Sequence, residues 1–241
     1  MTTASPGEIA PGAAQPGIEK QSGPLERVGS LAGSRTVLWL VVGAGVLLRL
    51  ARYADNRSLW LDEAYLSLNI IDKSPTELLG KLDFLQAAPP GFLLLEKLAV
   101  VLLGDSEYVL RLVPLIAGIA SLMVFQAVAR RFLSPGALLL AVALFAVNEP
   151  LVYYASETKP YGSDVLVALV LLLLACRVTE RAADRANLRL AMLAVGGLVG
   201  VWLSFPAVFV LAGIVVALRL RDAPDGTIRK VARTEASPQG N

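Results

Sequence analysis

The sequence predicts an all-α, polytopic membrane protein of about six transmembrane helices, with juxtamembrane amphipathic helices on its outer face. Three observations lead there. Of the 241 residues, 55% are hydrophobic and only 17% are charged, against roughly 45–50% and about 25% in an ordinary soluble domain. Mean hydropathy is +0.61. The apolar residues also come in long blocks with neither strand nor helix alternation, the pattern of segments that are apolar on every side.

A spanning helix needs roughly 20 apolar residues, about 17 at the short end. Residues 1–35 are rich in Pro, Gly and Ala and carry no signal-peptide pattern, so they are expected to form a disordered tail. Thr36–Leu50 is the first span, and Tyr53–Pro90 is a long polar stretch. Gly91–Gly104 is apolar but short, and it holds the adjacent charges Glu96 and Lys97. Two charges are expensive at a bilayer centre, so this segment is expected to lie along the membrane surface as an amphipathic helix. Tyr108–Ala129, Gly136–Val152 and Ser163–Cys176 read as further spans. Leu188–Arg219 is too long for one, and Ser204–Pro206 lies at its midpoint. Proline removes a backbone donor and disfavours helix in the residue before it, which divides the block into a hairpin of Leu188–Leu203 and Pro206–Leu218. Residues 220–241 form a second loose tail. The membrane domain is therefore expected over residues 36–219.

The basic residues orient these spans, because cytoplasmic loops carry the Lys and Arg excess. If Gly91–Gly104 stays on the surface, Lys20, Arg27, Arg35, Arg130, Arg131, Arg177, Arg181, Arg185, Arg189, Arg219, Arg221, Arg229, Lys230 and Arg233 all fall on one side. If it crosses, the Arg130–Arg131 pair and the Arg177–Arg189 cluster move outside. The first arrangement predicts a multi-pass plasma-membrane protein with both termini cytoplasmic. Its two outer loops are Arg52–Glu107 and Tyr153–Gly162.

Composition excludes several chemistries. There is no histidine, hence no His general base and no His-ligated metal. Cys176 is the single cysteine, so no intrachain disulfide can form, and at the end of an apolar run it reads as a small buried hydrophobe. A net charge of +2 gives no support to a nucleic-acid partner. No metal site is predicted; any divalent cation would need oxygen ligands such as the loop carboxylates.

The polar groups concentrate in the two outer loops. The first contains Ser58-Leu59-Trp60-Leu61-Asp62-Glu63-Ala64-Tyr65, two adjacent acids flanked by interface-loving aromatics. The second reads Tyr153-Tyr154-Ala155-Ser156-Glu157-Thr158-Lys159-Pro160-Tyr161-Gly162-Ser163-Asp164. Carboxylates and a lysine on the same side suit a site that takes one reactant from lipid and another from water.

Leu61-Asp62-Glu63-Ala64 after the first span resembles the Asp-Glu motif in the first outer loop of GT-C fold, lipid-linked-sugar glycosyltransferases of the family-39, protein-mannosyltransferase and aminoarabinose-transferase-like group. Ala88-Pro89-Pro90-Gly91 with Phe92–Lys97 looks like that group's Pro-Pro-Leu surface helix. Gly104-Asp105-Ser106-Glu107-Tyr108 with Arg111 and Pro114 is similar to its entry to the second span, and Glu157–Asp164 to its second outer-loop motif. The resemblance runs over residues 36–218.

It implies a polyprenyl-phosphate sugar donor, the lipid bilayer as surroundings, and inverting transfer to an acceptor hydroxyl or amine. A phosphate is already a good leaving group, so one general base suffices. The resemblance assigns that role to Asp62, with Glu63 as its catalytic companion, orienting Asp62 or holding the loop. Lys159 and Arg111 would compensate the departing phosphate, and Tyr161, Glu157 and Asp164 would bind substrate. Each has a plainer reading. Asp62 and Glu63 could cap a short helix, Lys159 could snorkel to the headgroups, Arg111 could pair with Glu107 one turn away, Glu157 could be an exposed loop charge, and Asp164 could favour a helix N-terminus. Enzymes of this group are longer, so the resemblance also implies a partner chain supplying further helices, or a non-catalytic subunit. A small transporter is a third reading, against which stands the scarcity of charge inside the spans.

Overall fold

The computed structural model describes residues 35–180 and 185–222. Among them every regular element is helical. In chain order the helices are α1 (Arg35–Ala54), α2 (Leu61–Asp72), α3 (Pro90–Leu103), α4 (Glu107–Leu110), α5 (Leu112–Ala129), α6 (Pro135–Val147), α7 (Glu149–Tyr154), α8 (Tyr161–Val178), α9 (Ala186–Leu203) and α10 (Ala207–Asp222), with one 3-10 turn over Glu77–Leu79. The tails expected over residues 1–35 and 220–241, apart from Arg35 and residues 220–222, lie outside the described residues, as does Arg181.

Four segments are long and apolar enough to cross a membrane: Arg35–Ala54, Glu107–Ala129, Tyr161–Val178 and Ala186–Leu203. The remaining two of the six expected spans form shorter helices, 13 residues in α6 and 16 in α10. The break expected at Ser204–Pro206 is present, and it separates α9 from α10.

The apolar helices run alternately between two ends of one bundle. At one end Arg57 meets Glu157, and the Tyr53 hydroxyl donates to the Tyr108 carbonyl at 2.8 Å. At the other, Glu180 pairs with Arg131 and Arg189, while Arg221 donates to the Thr179 carbonyl. The first is called the loop end below, the second the arginine end. Three apolar clusters hold the bundle. Leu38, Val42, Ala129, Leu138 and Val142 join α1, α5 and α6. Val167, Leu171, Leu193, Ala207 and Ile214 join α8, α9 and α10. Leu66, Ile70, Leu78, Phe92, Leu93 and Leu110 knit α2, the 3-10 turn, α3 and α4 together at the loop end.

Helix α3 begins beside Trp202 and leads within four residues into α4, so both its ends lie at the loop end. It is amphipathic. Its exposed side is apolar, with Leu95, Leu98, Val101 and Leu102, whereas both charges turn toward the protein. The Lys97 ammonium donates to the Ile70 and Ile71 carbonyls at 3.0 and 2.9 Å, satisfying the C-terminal turn of α2, where unpaired carbonyls and the helix dipole favour a cation. Glu96 is wholly buried with no hydrogen-bond partner for either carboxylate oxygen.

Two helices break where the sequence reading had them continuous. The span expected at Tyr108–Ala129 is interrupted at Arg111, between α4 and α5. Pro114 accounts for it, because its ring crowds the carbonyl four residues back. The span expected at Gly136–Val152 breaks at Asn148, between α6 and α7. There the donor that the Ala146 carbonyl would find four residues on is Pro150, which has no N–H. Arg49 of α1 supplies the missing bond: its Nη1 donates to Ala146 at 3.1 Å and to Gly45 at 2.9 Å. The helices approach closely enough there that a Cβ on Gly45 would sit 2.8 Å from the Ala146 Cβ, the small-residue contact that lets apolar helices pack backbone to backbone.

Candidate active site at the loop end

The six-residue connection from α1 to α2 is held in shape from below. Arg111 is buried, and it donates from Nη1 to Asn56 Oδ1 at 2.9 Å and from Nη2 to the Arg57 carbonyl at 2.6 Å. Asn56 takes a positive φ of 40°, a conformation asparagine tolerates better than most residues. Arg111 also lies 3.6 Å from Glu107, the pairing its spacing suggests. Its guanidinium is therefore engaged in the loop and does not point toward solvent as a phosphate ligand would.

Arg57 then bridges the two loops. It reaches Glu63 at 3.1 Å and Glu157 at 2.8 Å, and its guanidinium carbon stands 4.7 Å from the centre of the Tyr153 ring, a cation–π distance. Glu63 is 1% exposed. Besides Arg57 it accepts the Trp60 N–H at 3.0 Å, the reach of an acidic third residue back to its helix cap, and the Thr158 N–H at 3.0 Å. With both oxygens occupied, Glu63 ties together loops 95 residues apart, the geometry of a residue that holds the loop.

The second loop is also unlike its expectation. Residues 155–160 are buried, Glu157 included, so Glu157 is neither an exposed loop charge nor open to substrate. Burial pushes its carboxyl above the ordinary range, while the Tyr153 hydroxyl and the Arg57 charge pull it back. The loop packs so tightly on α5 that a Cβ on Gly118 would lie 2.6 Å from the Ala155 Cβ.

Asp62 differs from all of these. Its side chain is 62% exposed and 3.3 Å from the Lys159 ammonium. Lys159 is largely buried and also donates to Gln86 Oε1 at 2.9 Å, so it is fixed by protein instead of snorkelling. Tyr161 opens α8 with its side chain exposed, and both Asp62 and Asp164 lie near enough to act on its hydroxyl electrostatically. Asp164 is in the first turn of α8 but does not cap it. It faces the Ser204 hydroxyl across the bundle, but neither Asp164 Oδ1 nor Ser204 Oγ has a hydrogen-bond partner.

The structure thus pairs exposed Asp62 with the held ammonium of Lys159, leaves Tyr161 within electrostatic reach of Asp62, and turns Glu63, Glu157 and Arg111 into their scaffold. Arg57 and Gln86 were missed by the sequence reading. Arg57 could have been found as the single cation between Asp55 and the Asp62–Glu63 pair; Gln86 carries no such signal. Among the described residues no set of three or more acidic or sulfur side chains is disposed to hold a metal; Glu63 and Glu157 pair with Arg57, and Asp62 with Lys159.

Below Asp164 the bundle surface is grooved. A cleft of about 250 Å³ runs between α3, α5, α8 and α9, lined by Leu95, Val113, Ile116, Leu166 and Leu203, with Ser163 at its polar end. A wider apolar groove of about 590 Å³ continues along α3 and α9 past Leu98 and Val199.

Comparison with protein-family models, curated proteins and solved structures finds no match to this chain.

Proposed function

We propose that the chain is a membrane-embedded glycosyltransferase, or the transferase module of a larger assembly, that moves a sugar from a polyprenyl-phosphate donor to an acceptor hydroxyl or amine at the outer face. In this reading six helices cross the bilayer, α6 and α10 being its two short spans, and the loop end faces outward. The observation that carries it is the Asp62–Lys159 pair, 3.3 Å apart with the carboxylate open and the ammonium held. Asp62 takes the acceptor's proton as the new glycosidic bond forms, and the electron pair of the breaking sugar–phosphate bond leaves with the phosphate. An ammonium has three donors. Lys159 uses them on Gln86 and Asp62, leaving one to meet the phosphate as its charge develops. The apolar cleft that ends at Ser163, with the wider groove beyond it, suits the donor's hydrocarbon tail.

The transporter reading needs an ionisable group inside a span that is free to serve a passing ion. Arg49 is such a group by position, but its Nη1 bonds the Gly45 and Ala146 carbonyls, a structural duty, and Asp164, whose Oδ1 has no partner, stands in the first turn of α8 and not at mid-span. A non-catalytic subunit would keep the scaffold without needing an open Asp62.

The test is sugar transfer in membranes supplied with lipid-linked donor. Asp62→Asn is expected to lower transfer roughly 10²–10⁴-fold, the usual range for a general base. Unchanged transfer removes Asp62 from the mechanism.

A further inference from the structure

Residues 83–86 run antiparallel along α2, and the protein holds them there firmly. Buried Asn69 uses its whole amide: Oδ1 accepts the Asp83 N–H at 2.8 Å and Nδ2 donates to the Asp83 carbonyl at 3.3 Å. Lys73 pairs with Asp83 at 3.0 Å, and Gln86 is tied to Lys159. Between these anchors Phe84 and Leu85 take positive φ values of 56° and 55°. Two consecutive non-glycine residues in the left-handed region are strained, and such strain persists only where the surroundings over-determine it. Its effect here is to present two large apolar side chains. Leu85 is 95% exposed and Phe84 53%, the Phe84 ring stacked on Tyr65 with centroids 4.6 Å apart.

These residues do not stand alone. Leu61, Tyr65 and Leu68 lie at helical spacing along α2, with Leu61 and Leu68 exposed, and exposed Trp60 precedes them. The result is one apolar ledge beginning seven residues after α1, a helix apolar enough to span a membrane and itself studded with exposed Leu47, Leu48 and Leu50. Asp62, Asp72 and Asp83 balance Lys73, Lys81 and Lys159 around it, so nothing recommends an anionic or a cationic partner. An uncharged, apolar surface continuous with a spanning helix fits a bilayer boundary, where tryptophan and leucine side chains settle below the headgroups.

We infer that the Phe84–Leu85 tip is a membrane-dipping anchor, which seats the ledge of α2 in the acyl-headgroup boundary of zwitterionic lipid and so sets the height of Asp62 and Lys159 above the bilayer. This rests on the chain spanning the membrane, but not on sugar transfer.

The experiment uses the full chain with Cys176→Ser, reconstituted in phosphatidylcholine vesicles, with single cysteines carrying an environment-sensitive fluorophore. Leu47→Cys marks the spanning helix, Leu85→Cys the tip and Thr76→Cys an exposed polar turn. The Leu85 label is expected to be quenched several-fold more by phosphatidylcholine bearing a nitroxide high on its acyl chain than by aqueous iodide, and the Thr76 label the reverse. Asn69→Ala, which frees the tip, is expected to shift the Leu85 label toward the Thr76 pattern. If Leu47 is lipid-quenched but Leu85 is quenched by iodide, or by neither agent because protein covers it, the anchor is overturned and the spanning topology stands. If Leu47 also escapes lipid quenching, both fail.

Discussion

The Arg57 clamp ties the two loops partly through a buried carboxyl, that of Glu157. Glu157 binds its proton more tightly in the folded chain than in the unfolded one, because burial raises its carboxyl. Its contribution to stability is therefore complete below the ordinary glutamate range, about pH 4.3, and is lost as pH rises through the raised folded value. Glu157→Gln removes that dependence. Between about pH 4 and pH 8, the difference in thermal midpoint between the native chain and Glu157→Gln in the same detergent is expected to move against the native chain as pH rises; a pH-independent difference would show that Arg57 fully offsets the burial. At this scale the sequence was a partial guide. The nearness of Asp62, Lys159 and Tyr161 could be anticipated from two polar loops expected on one side, whereas the burial of Glu63, Glu157 and Arg111 could not. Polar residues in a loop look alike in a sequence whether they face water or one another, and only the packing of residues 155–160 against α5 decides which.

At the scale of the helices, the sequence was legible wherever a long apolar block ended in charge or proline, as for α1, α8 and the α9–α10 hairpin. It misled where a local defect is repaired from elsewhere in the chain. The apolar run from residue 136 to 152 continues past the defect at Pro150, and the repairing Arg49 lies about a hundred residues earlier, where it reads as a charge closing the first span. The same logic hid what the charges of α3 meet, since the partners of Lys97 are backbone carbonyls that no side-chain pattern announces. The repair has a measurable weight. Arg49→Leu leaves the Ala146 carbonyl buried without a donor, and an orphaned buried polar group costs about 1–3 kcal/mol. A fall in unfolding free energy of that size is expected for Arg49→Leu in detergent or bilayer. No loss would mean that the guanidinium contributes nothing net after its own burial in the bundle.

For the whole molecule, the two ends carry opposite characters. Arg131, Arg177, Arg185, Arg189, Arg219 and Arg221 gather at one, and the acidic loops at the other. This division is what the positive-inside rule converts into a direction. A single cysteine at Ser58, exposed at the loop end, is expected to react with a membrane-impermeant maleimide on intact cells, whereas one at Ser134, exposed at the arginine end, reacts only after permeabilisation. The opposite labelling pattern would invert the orientation and place the loops in the cytoplasm. The shared guanidinium at the loop end also has a consequence for traffic. Arg57 and Lys159 face three carboxylates, Asp62, Glu63 and Glu157, so the ensemble carries one formal negative charge in surplus. Any incoming molecule is sorted by sign before it is sorted by shape: a protonated amine is drawn inward down the local potential, an uncharged alcohol enters without help or hindrance from it, and a free anion must climb it.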